Sequence, residues 1–138
     1  MWASGLALAV RKPSSNMFAS GLVIEILGWV LISAGGVIIL LGLNAIRWRA
    51  AMPSVQDELV QDGIYAHIRH PIHTGTFFEV AGLWLLEPTR TVTLACVLWL
   101  VWLYVQTRLE ETDLVQRIRG YREYMNQVPR FLPRFWTK

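Results

Sequence analysis

The sequence predicts an all-α integral-membrane bundle: about three spanning helices, two of them a tight helical hairpin, with interfacial connector helices and a cytoplasmic C-terminal helix. Three observations lead there. Of 138 residues 54% are hydrophobic, seven are tryptophan and the mean hydropathy is +0.36, all high for a soluble domain of this length. Residues 18–43 run apolar with the single charge Glu25, and a second apolar region, 74–105, is interrupted by Glu87-Pro88-Thr89-Arg90. Lys and Arg gather at Arg47, Arg49 and Arg69 and again from Arg108 onward, while the interruption holds only Arg90, so one face of the membrane is basic.

The N-terminal segment, residues 1–17, opens with an apolar decapeptide, MWASGLALAV, long enough to dip into the interface and too short to cross. The first transmembrane helix is expected over 18–46. A bilayer core of about 30 Å needs about 20 helical residues, and this run leads straight into a bulky basic stretch rather than a small-residue cleavage site, so it reads as a retained anchor. Glycines 21, 28, 35 and 42 recur every seven residues on nearly one helix face. Small residues on one face allow close helix approach in lipid. Glu25 falls on that face. The hairpin, residues 74–107, repeats the arrangement with Gly75 and Gly82 seven apart and Glu79 between them, which predicts two glycine seams each carrying a buried acid. Such an acid is either a functional group or a hydrogen-bonded structural one. The same faces could pair two copies of the chain into a homodimer.

Between the spans, the connector at 47–73 mixes polar and apolar residues around Pro53 and Asp62-Gly63 and reads as short interfacial helix pieces joined by loops. Residues 108–138 continue out of the membrane as a charged helix that breaks near Gly120 and ends in two prolines. By the positive-inside tendency the connector and this tail face the cytoplasm.

Residues 67–75, HIRHPIHTG, carry the chain's three histidines at three-residue steps. Imidazoles at that spacing suggest zinc. Pro71 argues against it, because it disfavours helical geometry at His70 and so breaks the face that would gather the rings. No H-E-x-x-H accompanies the cluster, and the lone Cys96 provides no thiolate set, so no metal is expected. A cationic patch for lipid phosphates would explain Arg69 and the histidines but not Gly63, Tyr65, Pro71 and Gly75.

Those residues together carry a resemblance. Residues 63–75, GIYAHIRHPIHTG, resemble the G-x-Y-x-x-x-R-H-P-x-Y-x-G signature of the integral-membrane isoprenylcysteine carboxyl methyltransferase and phospholipid methyltransferase superfamily. After the hairpin come Glu110-Glu111 with Leu114, similar to its E-E-x-x-L, then Tyr121 and Tyr124 and the ending VPRFLP at 128–133, similar to its Y-x-x-Y and V-P-R-F-x-P. The similarity covers about residues 55 to 135.

The resemblance implies an enzyme that moves a methyl group from S-adenosylmethionine, bound between the connector and the helix after the hairpin, to a lipophilic acceptor reached from the bilayer. Carried over by position, it implies cofactor contacts from Leu59, Val60, Tyr65, His70, Pro71, Ile72, His73, Glu110 and Glu111. It assigns no catalytic residue. His73 stands where the family has tyrosine, and Gln106 where members often have an arginine that meets an anionic substrate. Glu79, Gln106, Arg108 and Arg130 are the candidate acceptor contacts. The acceptors that fit are an isoprenylcysteine-like carboxylate, a phospholipid amine or a small lipophile, and no nucleic-acid partner is expected. The competing readings are a non-enzymatic lipid-binding or helix-packing module on the same scaffold, and a membrane reductase using NADPH. The R-H-P and E-E pair favours the methyl donor over both.

Overall fold

The structure, a computed structural model, describes Met17, residues 21–46 and residues 59–133. The rest of the N-terminal segment, the connector from 47 to 58 and the tail from Arg134 lie outside the described residues. Among the described residues there are four α-helices, no strand and one 3-10 turn: α1 (Leu22–Ile46), the turn (Gly63–Ala66), α2 (Pro71–Leu86), α3 (Arg90–Arg117) and α4 (Tyr121–Gln127). The described part of the connector thus holds a single helical turn.

α1 and α3 are both long and apolar enough to cross a membrane. At 1.5 Å per residue α1 is about 37 Å long and α3 about 42 Å, against a hydrocarbon core of about 30 Å. Their apolar side chains face outward, with Val23 78%, Leu22 72% and Leu98 61% exposed. In water such surfaces would drive aggregation. In lipid they are the solvent-facing side, and the protein is an integral membrane protein.

α2, with 16 residues, lies antiparallel along α1, and this is by far the most extensive helix contact among the described residues. Glycine makes it close. A Cβ on Gly35 would lie 2.5 Å from the Gly75 carbonyl oxygen, and one on Gly82 would lie 2.5 Å from the Gly28 carbonyl oxygen. At the far end Gly42 receives Pro71 and Ile72. The predicted glycine faces therefore meet each other within one chain at Gly28, Gly35 and Gly42, while Gly21 has nothing within 4 Å.

One acid of the expected pair sits in that seam and the other does not. Glu79 lies across Gly35 and Gly36, with its Cγ 2.8 Å from where a Gly35 Cβ would be. Glu25 is exposed in the first turn of α1, a turn before Gly28 meets Leu86. It faces outward because α2 ends there.

The interruption at 87–90 is the turn between α2 and α3, as its composition predicts. Thr89 caps α3 by accepting from the Val92 backbone N–H at 3.2 Å, and Pro88 is fully buried. Trp84 Nε1 donates to Thr93 Oγ1 at 2.9 Å and ties the two arms near the turn. Elsewhere the arms meet sparingly, since α2 is committed to α1. The hairpin therefore opens away from its turn.

α3 runs past the membrane by about 12 Å, which lifts Glu110, Glu111 and Leu114 clear of the apolar core. Gly120, at φ 85°, turns the chain into α4. Buried Tyr121, Tyr124 and Val128 then form a small core with Leu59, Leu114, Val115, Ile118 and Met125.

Candidate active site

Pro71 is the first residue of α2, where its missing N–H leaves nothing unsatisfied, and His70 precedes it in a non-helical conformation. The proline thus starts a helix instead of kinking one. The residues just before it pair with the chain's end: Arg69 N–H donates to the Pro129 carbonyl at 2.9 Å and His70 N–H to the Arg130 carbonyl at 3.0 Å. Thr74 Oγ1 adds a bond to the Phe131 carbonyl at 2.9 Å. Residues 129–131 are a strap laid over the R-H-P corner.

Under the strap lies Glu111, 3% exposed. Its carboxylate accepts from Arg69 Nη1 at 2.6 Å, from Arg130 Nε at 3.1 Å, and from Arg130 Nη2. His70 Nε2 is 3.1 Å from the same Oε1. Burial alone would raise the Glu111 pKa, but the Arg130 hydrogen bond, the charges of Arg69 and Arg130 and the His70 contact hold it below the usual carboxylate value. Charge-assisted bonds of this kind are the strong class.

Burial lowers the His70 pKa to about 4, so the ring is neutral at pH 7. A neutral ring beside an ionised Glu111 must carry its proton on Nε2, which leaves Nδ1 as an acceptor. That Nδ1 faces Glu110 Oε2 at 3.8 Å. Glu110 is raised by burial and then by the Glu111 charge. His73 stacks on His70 with ring centroids 5.4 Å apart, and its Nδ1 is buried without a partner. One ligand-capable atom from each of His70, His73 and Glu110 fall within 4.8 Å of one another. Polar groups that close call for a shared proton, a cation or a ligand between them.

Of the three histidines, His70 and His73 come together despite Pro71, because the proline puts both at one helix start. His67 is exposed and lies outside the cluster.

These groups line a cavity of about 420 Å³. Its walls include Leu59, Val60, Tyr65, His70, Ile72, His73, Gln106 and Glu110 among the residues singled out from the sequence. Two expected cofactor contacts are placed elsewhere: Pro71 is buried under Gly42 of α1, and Glu111 is behind the wall, consumed by its cations. Of the expected acceptor contacts, Arg130 is bound to Glu111, Arg108 is exposed outside the cavity, and Glu79 lies in the glycine seam. The walls that sequence reasoning left out of the site are Ile46, Arg69, Leu114, Ile118, Tyr121 and Tyr124. The Y-x-x-Y spacing was the available signal for the tyrosines. Tyr124 closes the cavity by donating from its hydroxyl to the Tyr65 carbonyl at 2.7 Å. Burial, with the Glu110 and Tyr121 charges, pushes the Tyr65 hydroxyl up to about 12, so it remains a donor at neutral pH.

The R-H-P, E-E and Y-x-x-Y motifs and the proline-rich ending therefore converge on this one corner. No curated protein and no solved structure matches the chain. The family model described as phospholipid methyltransferase does match, over residues 23–122, from the first turn of α1 into α4. The match spans well over half of the chain, and the protein belongs to the phospholipid methyltransferase family of membrane methyltransferases.

Proposed function

We propose that the protein transfers a methyl group from S-adenosylmethionine to a lipophilic acceptor, with the cavity end of the bundle on the cytoplasmic side. The observation that carries this reading is the polar cluster of His70, His73 and Glu110 at a cavity of about 420 Å³, a size within the range of small-molecule sites. S-adenosylmethionine is doubly suited to it, having a sulfonium and an ammonium cation, with ribose hydroxyls as further donors. The flat rings of Tyr65 and Tyr121 and the side chains of Leu59, Val60 and Leu114 supply walls for the adenine.

When bound, the cofactor supplies a methyl group already activated on sulfur. The acceptor's lone pair forms the new bond to that carbon as the carbon–sulfur pair returns to sulfur, giving S-adenosylhomocysteine and the methylated acceptor. The protein's part is to hold donor and acceptor in line and to exclude water, a positioning effect worth up to about 7–11 kcal/mol in favourable cases.

The charge pattern favours a neutral nucleophile such as an amine over a carboxylate. Arg69, in the cavity wall, and Arg130, behind it, both donate to Glu111, and Gln106 provides only an amide. An anionic acceptor would face Glu110, and Arg69, the one arginine described in the wall, already donates from Nη1 to Glu111. The positive-inside distribution supports the orientation, and S-adenosylmethionine, a water-borne cofactor, would reach the cavity from that side.

Calorimetry with S-adenosylhomocysteine on the detergent-solubilised protein tests the reading. Saturable binding is expected, weakened about tenfold by Glu110→Gln and by His70→Ala. Folded protein that gives no saturable heat would sink the enzyme and leave the lipid-binding module. Binding that neither substitution weakens would displace the cofactor from this cavity.

A further inference from the structure

A second cavity, of about 270 Å³, opens between α2 and α3 where the hairpin arms separate. It is lined by Phe77 and Phe78 from α2, by Leu100, Leu103 and Tyr104 from α3, and by the strap residues Phe131 and Leu132. Its polar members are few and mostly spent: the Thr74 hydroxyl is bonded to the carbonyls of His70 and Phe131. The side chains at its mouth face the lipid side of the bundle, Phe77 being 45% and Leu100 39% exposed. One residue lines both this cleft and the larger polar cavity, and it is His73.

We infer that this cleft is the hydrocarbon site for the methyl acceptor: it takes a single alkyl, acyl or prenyl chain from the bilayer and brings the headgroup's nucleophile to His73, at the border of the donor cavity. The inference rests on the methyl-transfer reading for what the headgroup does, and on the cleft's own geometry for the chain. Three features commit it to that occupant. An apolar cleft at membrane depth is filled by hydrocarbon, since water gains nothing there. A cavity about twice the 150 Å³ that holds benzene has room for one chain segment and not for the bulk of a folded partner. Finally, the cleft ends at the polar cavity through the one shared side chain, so an amphiphile lying along α2 places its polar end at His73 while its tail passes Phe77, about 6 Å deeper.

The arrangement also explains why the α2–α3 arms do not pack as α1 and α2 do. Glycine on both sides closes the first seam, whereas Phe77, Phe78 and Tyr104 hold the second open. His73 touches both ligands in this scheme, which makes it a contact residue for donor and acceptor alike.

The test uses the full chain in nanodiscs and a hexadecylamine bearing a mid-chain diazirine, with labelled peptides mapped after irradiation and S-adenosylhomocysteine binding measured on the same preparation. Saturable labelling concentrated on the peptides containing Phe77, Leu100 and Tyr104 is expected. Leu100→Trp, which fills the cleft from its exposed wall, should cut that labelling about tenfold with S-adenosylhomocysteine binding retained. Leu132→Trp fills it from the strap and serves if the first variant does not fold. Val101→Trp, on α3 but outside the cleft, should leave the labelling intact. Labelling that is unsaturable, spread over the lipid face of α1, or indifferent to both filling variants would overturn the cleft. Absence of S-adenosylhomocysteine binding in a protein that still labels saturably would instead overturn the methyl-transfer reading and leave the hydrocarbon site standing.

Discussion

Along α1 and α2 two backbones touch because side chains are missing; at the strap, three separate stretches of chain are held because charged and polar side chains are present. In the seam, the Gly35 and Gly75 faces leave no volume for even a methyl group. Under the strap, Glu111 gathers Arg69 and His70 from one stretch of sequence and Arg130 from another, and cavities open on either side of His73. The difference shows how one small chain divides labour. Dispersion between close backbones fixes the scaffold in lipid, where apolar burial offers little driving force. An ionic hub fixes the chemical end, because a hub constrains direction without filling space.

The two regions should fail differently, and the largest loss is expected at the hub. Glu111→Ala leaves the Arg69 and Arg130 guanidinium groups uncompensated, and removing one partner of a buried pair costs about 3–5 kcal/mol. Thermal unfolding in detergent measures it, and S-adenosylhomocysteine binding should fall with the strap. An unchanged melting profile would show that the hub is dispensable.

In the seam Gly35→Ala places a Cβ 2.5 Å from a backbone oxygen, which no rotamer relieves. Overpacking of this kind costs about 1–3 kcal/mol. Gly21→Ala, at the same heptad position but with nothing within 4 Å, is the matched control and should be neutral. Equal losses at Gly21 and Gly35 would mean that contact across the seam does not set the effect, since helix propensity favours alanine over glycine and supplies no loss.

Acid should act on the hub. The His70 ring titrates at about 4 in the folded protein against 6.5 when free, so between those values the unfolded chain takes up a proton that the folded chain refuses. Stability is therefore full above about pH 6.5 and falls as pH drops towards 4. Glu111, held below 4.5, adds a further loss only beneath that value, while Glu110, raised above it, works in the opposite direction. His70→Gln keeps a donor for Glu111 and should remove most of the slope between 6.5 and 4, leaving the part due to His73, whose pKa burial also lowers. A slope that survives unchanged would place the proton uptake on another group.

The same contrast explains what could be read from the sequence. The seam announced itself through glycines seven apart, because helix periodicity is local and a face can be counted without knowing its partner. Glu25 shows the limit of that counting: it shares the face, yet α2 stops before reaching it. The hub could be read only as a set of motifs. Nothing in the order of Arg69, Glu111 and Arg130 says that they meet, since two of the intervening connections cross the membrane hairpin and α4. Glu111 was therefore expected at the cofactor and sits instead behind the wall that Glu110 presents. The second cavity was the least legible feature, because it results from α2 choosing α1 over α3, a competition that no single segment encodes.

The smallest effect is expected at the hinge between α3 and α4, and it tests how the hub depends on backbone. Gly120 has φ 85°, and a Cβ there would meet nothing within 4 Å. The cost of Gly120→Ala is thus conformational alone, about 1 kcal/mol, with no clash to add to it. Because Gly120 sets the direction in which α4 presents Tyr121 and Tyr124 to the cavity, even this small cost bears on the site. Asn tolerates the left-handed region better than Ala, so Gly120→Asn should recover part of the loss in melting temperature and in S-adenosylhomocysteine affinity together. Recovery of stability without affinity would show that the tyrosines' placement depends on more than this one residue's backbone angle, and the strap, through the bonds of residues 69 and 70 to 129 and 130, would then be what orients them.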